Sequence, residues 1–124
     1  MRNYIVKMEL YSKPVIEGCP PEPEPDFLRS AVGGDTDRVA VTAALEEAVP
    51  GLIMIANSRG GELKLPTNAI ATAICFWPED TIKGTAILLR ESPGAEERYR
   101  PLTYAEAEAV ARILADIIEG GEDA

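Results

Sequence analysis

The C-terminal part of the chain carries the pattern that restricts the fold most, an amphipathic helix with marked ends. Thr103 and Glu106 have the spacing of a capping box, in which each side chain satisfies a backbone amide of the first turn. Apolar side chains then recur at helical spacing up to Gly120 and Gly121, a common end signal. Because such a helix must bury its apolar side, we predict a helix over 103–119 packed on a larger apolar layer.

Short apolar segments separated by turn residues indicate that this layer is a sheet. Alternation with a period of two and β-branched residues predict strands at residues 3–12, 52–56, 62–65, 69–77, 81–90 and 98–100. The segment 69–77 is ambiguous because Thr67 is a suitable helix cap, but its β-branched and aromatic content favours a strand. The turn 57–61 is expected to join two strands as a hairpin.

Before these strands, a proline-rich segment interrupts regular structure. Within the segment 19–26, four of the six residues 20–25 are prolines, and proline fixes φ and lacks an amide donor. We therefore predict an extended acidic arm, which is either a stiff connector or a segment that docks on a partner. One helical turn is expected at 27–32, and a second main helix over 37–49, which ends before Pro50.

These elements predict one α+β domain over residues 1–124, with a short acidic tail at 120–124. Its architecture is expected to be a two-layer sandwich, a mostly antiparallel sheet of four to six strands with the two main helices on one face. Strands 69–77 and 81–90 are apolar on both faces, so the second face also needs a cover. We expect another subunit to supply that cover, which makes the protein a homodimer.

Composition excludes several classes of function. The chain has no histidine, which removes imidazole-based catalysis, and its two cysteines are too few for a four-ligand zinc site. The net charge of −9 opposes non-specific nucleic-acid binding. No apolar run approaches the roughly 20 residues of a membrane helix, and no signal peptide is recognisable, so we expect a cytoplasmic protein. We predict no cofactor and no metal. A disulfide between Cys19 and Cys75 is conceivable, but two cysteines in a chain of this length more often stay reduced.

Most of the negative charge lies in two segments, 19–37 and 103–124. The leading hypothesis is therefore a non-catalytic interaction protein that binds a partner through an acidic surface, with Glu106, Glu108 and Asp116 as candidate contact residues. In size and charge alone, the chain is analogous to small oligomeric inhibitors or regulators from phages and mobile elements.

Two alternatives are a small-ligand binder and an enzyme. Glycine-rich turns admit anions, guanidinium groups bind phosphate, and aromatic rings stack on bases, so a nucleotide or nucleotide-derived signal is the candidate ligand. Its expected site, at a subunit interface, comprises Arg59, Gly60, Gly61, Phe76, Trp77, Arg98 and Arg100. An enzyme would work through Cys75 as a nucleophile or through a carboxylate. No histidine can activate the thiol, so a buried structural cysteine is the expected role, and no pair of carboxylates forms an obvious acid–base dyad.

Overall fold

The computed structural model describes residues 2–77, 79–94 and 98–122. The predicted α+β class is confirmed, because these residues form an open, six-stranded antiparallel sheet with four helices. The elements are β1 (Tyr4–Met8), β2 (Val15–Gly18), α1 (Pro25–Val32), β3 (Thr36–Val39), α2 (Ala43–Ala48), β4 (Leu52–Asn57), α3 (Ala69–Ile74), β5 (Ala86–Glu91), β6 (Tyr99–Arg100) and α4 (Tyr104–Glu122). The strand order is β2-β1-β5-β4-β3, and β6 pairs with β5.

One face of the sheet carries the larger part of the core, beneath α2, α3 and α4. The predicted C-terminal helix is confirmed and places Ala107, Val110 and Leu114 in this core without exposed surface. Its start has the expected capping box, since the Glu106 amide donates to Thr103 Oγ1 at 3.1 Å and the Thr103 amide donates to Glu106 Oε1 at 2.9 Å.

The end of α4 differs from the prediction. The helix continues through Gly120 and Gly121 to Glu122, because glycine accepts helical dihedrals as well as the left-handed ones that end a helix. The first three residues of the expected tail at 120–124 are therefore helical, and Asp123 and Ala124 lie outside the described residues. Within the described ranges, neither α4 nor any other helix has the length and apolarity needed to cross a membrane.

The opposite face of the sheet is covered by α1 of the same chain. Leu28 and Val32 pack there against a second apolar cluster, formed by Ile5, Ile53, Ile55, Ile87 and Leu89. The sequence suggested a single helical turn here, but α1 has eight residues, because Pro25 fits the first helical position and lengthens the helix into the arm. A second subunit, which the sequence led us to expect on this face, is thus not needed to complete the core.

The predicted helix over 37–49 is wrong in its first half. Residues Thr36–Val39 form β3, which pairs antiparallel with β4 and places Val39 opposite Met54. The helix α2 begins only at Ala43. Pairing with the apolar strand β4 outweighs the local helix signal. It satisfies the backbone hydrogen bonds of β3, whereas a short isolated helix is only marginally stable.

Three further strand predictions are corrected by the structure. Residues 69–77 begin with α3, whose cap is Asn68; its Oδ1 accepts from the Ala71 amide at 3.1 Å. Residues 62–65 form no strand, since 62–64 are turn residues, and Lys64 has a left-handed φ of 56° that a strand does not allow. The strand predicted at 81–90 starts only at Ala86, and β2 was not predicted.

Candidate functional site

The arginines predicted to share a ligand pocket lie at opposite ends of β4 within one protomer. Arg59 follows the C-terminal end of β4, and its Nε donates to Glu62 Oε2 at 3.0 Å. At the other end, Leu52 pairs with Arg90, which pairs in turn with Arg100. Because a strand rises about 3.3 Å per residue, the six residues of β4 separate these ends by about 16 Å.

The glycines of the predicted anion site have different surroundings. Gly60 is buried, and a Cβ there would lie 2.9 Å from Lys83 Cβ and 3.1 Å from the Lys83 carbonyl oxygen, so close packing requires glycine. Gly61 faces open space. Both glycines line a cleft of about 290 Å³ with Asp37 and Asp80, where Lys83 is the one cation among the lining residues. These charges favour a cationic ligand group over the phosphate that the sequence suggested.

Phe76 and Trp77 form an exposed aromatic pair close to this cleft. After α3, the side chain of Cys75 is buried in the core. The Phe76 amide donates to the Ala40 carbonyl at 2.9 Å, so the chain reaches the surface next to the end of β3. Their rings meet edge to face with centroids 5.0 Å apart, and the side chains are 51% and 55% exposed. The Asp80 amide donates to the Trp77 carbonyl at 3.1 Å, which ties the backbone of Trp77 to that of Asp80, a residue that lines the cleft.

We call Asp37, Phe76, Trp77 and Asp80 the aromatic–acidic surface. Asp37 and Asp80 line the same cleft, and Glu79 is exposed in the same turn as Asp80. None of these three carboxylates takes part in an ion pair with another described residue. The aromatic–acidic surface therefore combines two large exposed rings with carboxylates that form no ion pair within the described residues, and Lys83 is the cation that shares their cleft.

The acidic residues predicted on α4 divide into two groups. Glu106 serves the fold, since it caps the helix and its Oε2 accepts from Arg90 Nη1 at 3.0 Å. Glu108 and Asp116 are exposed, and neither forms an ion pair in the part of the chain that the structure describes. Exposed Arg112 lies four residues from each of them, so the helix face is less acidic than the composition suggests.

The remaining predicted arginines, Arg98 and Arg100, lie beside the proline-rich arm. They line a cleft of about 570 Å³ together with Glu22, Glu24 and the prolines of the arm. The arm runs along β6 with Pro23 buried before it enters α1, which identifies it as an ordered connecting segment of the fold. The two arginines thus share their cleft with two carboxylates of their own chain.

The two cysteines lie on opposite faces of the sheet, which excludes a disulfide between them in this fold. Cys75 is 4% exposed, as predicted for a structural thiol, and its Sγ donates to the Trp77 carbonyl at 3.4 Å. Cys19 packs against the α1 side, and burial raises the pKa of its thiol from 9.0 to about 11. No cluster of three or more potential metal ligands occurs among the described residues.

No family model, curated protein or solved structure matches this chain. Its function is therefore inferred from the surfaces that the fold exposes. Among these surfaces, the aromatic–acidic surface unites large aromatic side chains with unpaired charge, and both are features of binding sites for other macromolecules.

Proposed function

We propose that this protein is a non-catalytic binding module that engages a basic protein partner through the aromatic–acidic surface. The observation that carries the proposal is the exposure of Phe76 and Trp77, each more than half accessible. Large aromatic side chains supply much of the energy of protein interfaces, because they bury a large area at a small cost in side-chain entropy. Because these rings are exposed in the folded chain, burying them against a second molecule would remove their apolar surface from water and stabilise the complex.

The charge around the rings specifies the chemistry of that partner. Asp37 and Asp80 line one cleft with Lys83, so a lysine or arginine side chain that enters it meets two carboxylates and one ammonium, which leaves a net negative charge. Trp77, which is 55% exposed, offers an aromatic face to a further basic side chain of the partner, where cation–π attraction adds to the ion pairs. A net charge of −9 also attracts a basic partner from a distance, in a manner that weakens as salt rises.

This mode of binding supports an inhibitory or regulatory role. Proteins bind nucleic acids through basic surfaces that neutralise phosphates. A basic surface covered by Asp37, Trp77 and Asp80 is no longer accessible to a nucleic acid. The proposed consequence is competition with that nucleic acid for the partner.

The test begins by removing the rings from an immobilised protein that is exposed to cell extract. Proteins retained by the wild type should be lost when Phe76 and Trp77 are both replaced by alanine. Tyr104→Ala is the matched control, since Tyr104 is 52% exposed but lies on α4. The double variant Asp37→Asn, Asp80→Asn should weaken retention at low salt more than at high salt, because screening removes the charge contribution.

A captured partner is then purified and added to the protein in solution. Trp77 is the only tryptophan of the chain, so its emission should shift to shorter wavelength and its quenching by acrylamide should fall when the partner covers it. Equal retention by the wild type and by the double alanine variant would refute the proposed surface. Loss of retention on reversing Glu108 and Asp116 to lysine, with the rings intact, would assign binding to α4 instead.

A further inference from the structure

A second cleft, of about 540 Å³, lies between the turn that joins β1 to β2, the start of α3 and the C-terminal part of α4. This volume is in the range of about 300–1,000 Å³ that is typical of small-molecule sites. Its walls are formed largely by apolar side chains, namely Leu10, Ile70, Ala73, Ile117 and Ile118. The aromatic–acidic surface shares no residue with it.

The floor of this cleft offers little to a polar ligand group. Asn68 is 3% exposed, and its side-chain Nδ2 already donates to the Met8 carbonyl at 2.9 Å and to the Gly84 carbonyl at 3.0 Å. Its Oδ1 accepts from the Ala71 amide. With these bonds formed, the interior favours the apolar part of a ligand, and the fixed start of α3 keeps the cleft preformed.

The mouth of the cleft carries charge and an exposed ring. Glu9 is paired with Lys7, with Oε1 and Nζ 3.2 Å apart. Lys13 is exposed and forms no ion pair with any residue that the structure describes. Tyr11 is 92% exposed, so its ring and hydroxyl are available to a molecule that enters beside it.

From this arrangement we infer that the cleft binds a small molecule with an apolar body and one carboxylate. The body lies against Ile70, Ala73 and Ile117, the carboxylate pairs with the ammonium of Lys13, and the Tyr11 ring packs over the apolar part. A carboxylate is favoured over a second cation by the ammonium of Lys13, which forms no ion pair within the described residues, whereas Glu9 at the same cleft is paired with Lys7. This site is independent of the proposed partner-binding surface.

Calorimetric titration of the full chain with decanoate, decanol and decylamine tests the inference. Decanoate should bind about two- to fivefold more tightly than decanol, the gain expected from one partly exposed ion pair, and decylamine should bind more weakly than decanol. Lys13→Gln should reduce decanoate affinity to that of decanol. The matched control Arg112→Gln removes an exposed cation that lines no part of the cleft and should leave the affinity unchanged.

A variant that fills the cleft completes the experiment. Ala73 is exposed on α3, so Ala73→Phe places a ring in the cleft without overfilling the core and should weaken all three ligands at least tenfold. Tyr11→Asn removes the ring, and asparagine tolerates the left-handed φ of 60° at this position. The variant should bind decanoate more weakly, while its melting temperature stays unchanged. Absence of decanoate binding, equal affinity for the three head groups, or binding that survives Ala73→Phe would each overturn the inference. None of these variants alters Phe76 or Trp77, so partner capture reports separately on the proposed function.

Discussion

Replacing Asn68 by alanine should lower the free energy of unfolding by about 3–5 kcal/mol. The Asn68 side chain forms three hydrogen bonds, one as the cap of α3 and two as a donor to the carbonyls of Met8 and Gly84. It thereby ties the start of α3 to β1 and to the segment before β5. The residue is nearly inaccessible to water, so water does not easily replace the lost bonds.

The magnitude follows from these three bonds. Loss of a helix cap costs about 1 kcal/mol. Each carbonyl left buried without this donor costs about 1–3 kcal/mol, and we take the lower half of that range because carbonyls have a second lone pair for other partners. The expected loss is a large part of the roughly 5–15 kcal/mol that stabilises a typical domain. For a domain of this size it corresponds to a melting temperature lower by roughly 10–20 °C.

Urea unfolding of three variants separates the contributions. Asn68→Asp keeps the cap acceptor but removes both donors, so it should be at least as destabilising as Asn68→Ala. Asn3→Ala is the control, because Asn3 is half-buried and its side chain makes no hydrogen bond within the described residues; it should change stability by less than about 0.5 kcal/mol. A loss below 1 kcal/mol for Asn68→Ala, or wild-type stability for Asn68→Asp, would refute this account of how α3 is held.

Three other predictions follow from side chains already described. Gly60→Ala should destabilise the fold by about 1–3 kcal/mol in urea unfolding, because its Cβ would contact Lys83, whereas Gly61→Ala should be nearly neutral; equal effects would contradict the packing role of Gly60. Glu106→Gln keeps the cap but removes the charge opposite Arg90, and should cost about 1 kcal/mol by the same measurement, with no change counting against that ion pair. Because burial disfavours the thiolate, Cys19 should react with iodoacetamide at pH 8 about a hundredfold more slowly than a thiol of pKa 9.0, and unfolding in urea should abolish the difference; rapid reaction of the folded protein would contradict the raised pKa.

Local signals were sufficient for α4 and insufficient for its neighbours. The capping box and the apolar spacing of α4 are contained within one segment, and both appear in the structure. In contrast, β3 exists because Asp37 and Val39 pair with Ala56 and Met54 of β4, which lie 19 and 15 residues further along the chain. Similarly, α3 is fixed by the bond between Asn68 and Met8, which are 60 residues apart. The strand propensity of residues 69–77 is a local property and contains no information about a hydrogen bond to Met8.

The candidate site illustrates the same limit. Arg59 and Arg100 were grouped by residue type, but the pairing of β4, β5 and β6 places them at opposite ends of a strand. The sequence identifies the aromatic pair as a candidate, but its helix signals assign Asp37 to a helix over 37–49. Only the strand pairing of β3 brings Asp37 to the cleft that Asp80 also lines. The residue types therefore indicate which side chains are candidates for a site, but only the strand topology shows which of them lie together.

The topology also changes what is expected of self-association. A homodimer was expected because two helices left one face of the sheet open, but Leu28 and Val32 of α1 cover that face. A two-fold dimer through the aromatic–acidic surface would join two copies of one acidic patch, and repulsion between them opposes such a dimer at low salt. We therefore expect light scattering at low ionic strength to give the mass of one chain, 13.4 kDa. A dimer that forms under these conditions and is lost in Trp77→Ala would show that the surface recognises itself, and would contradict the basic partner proposed here.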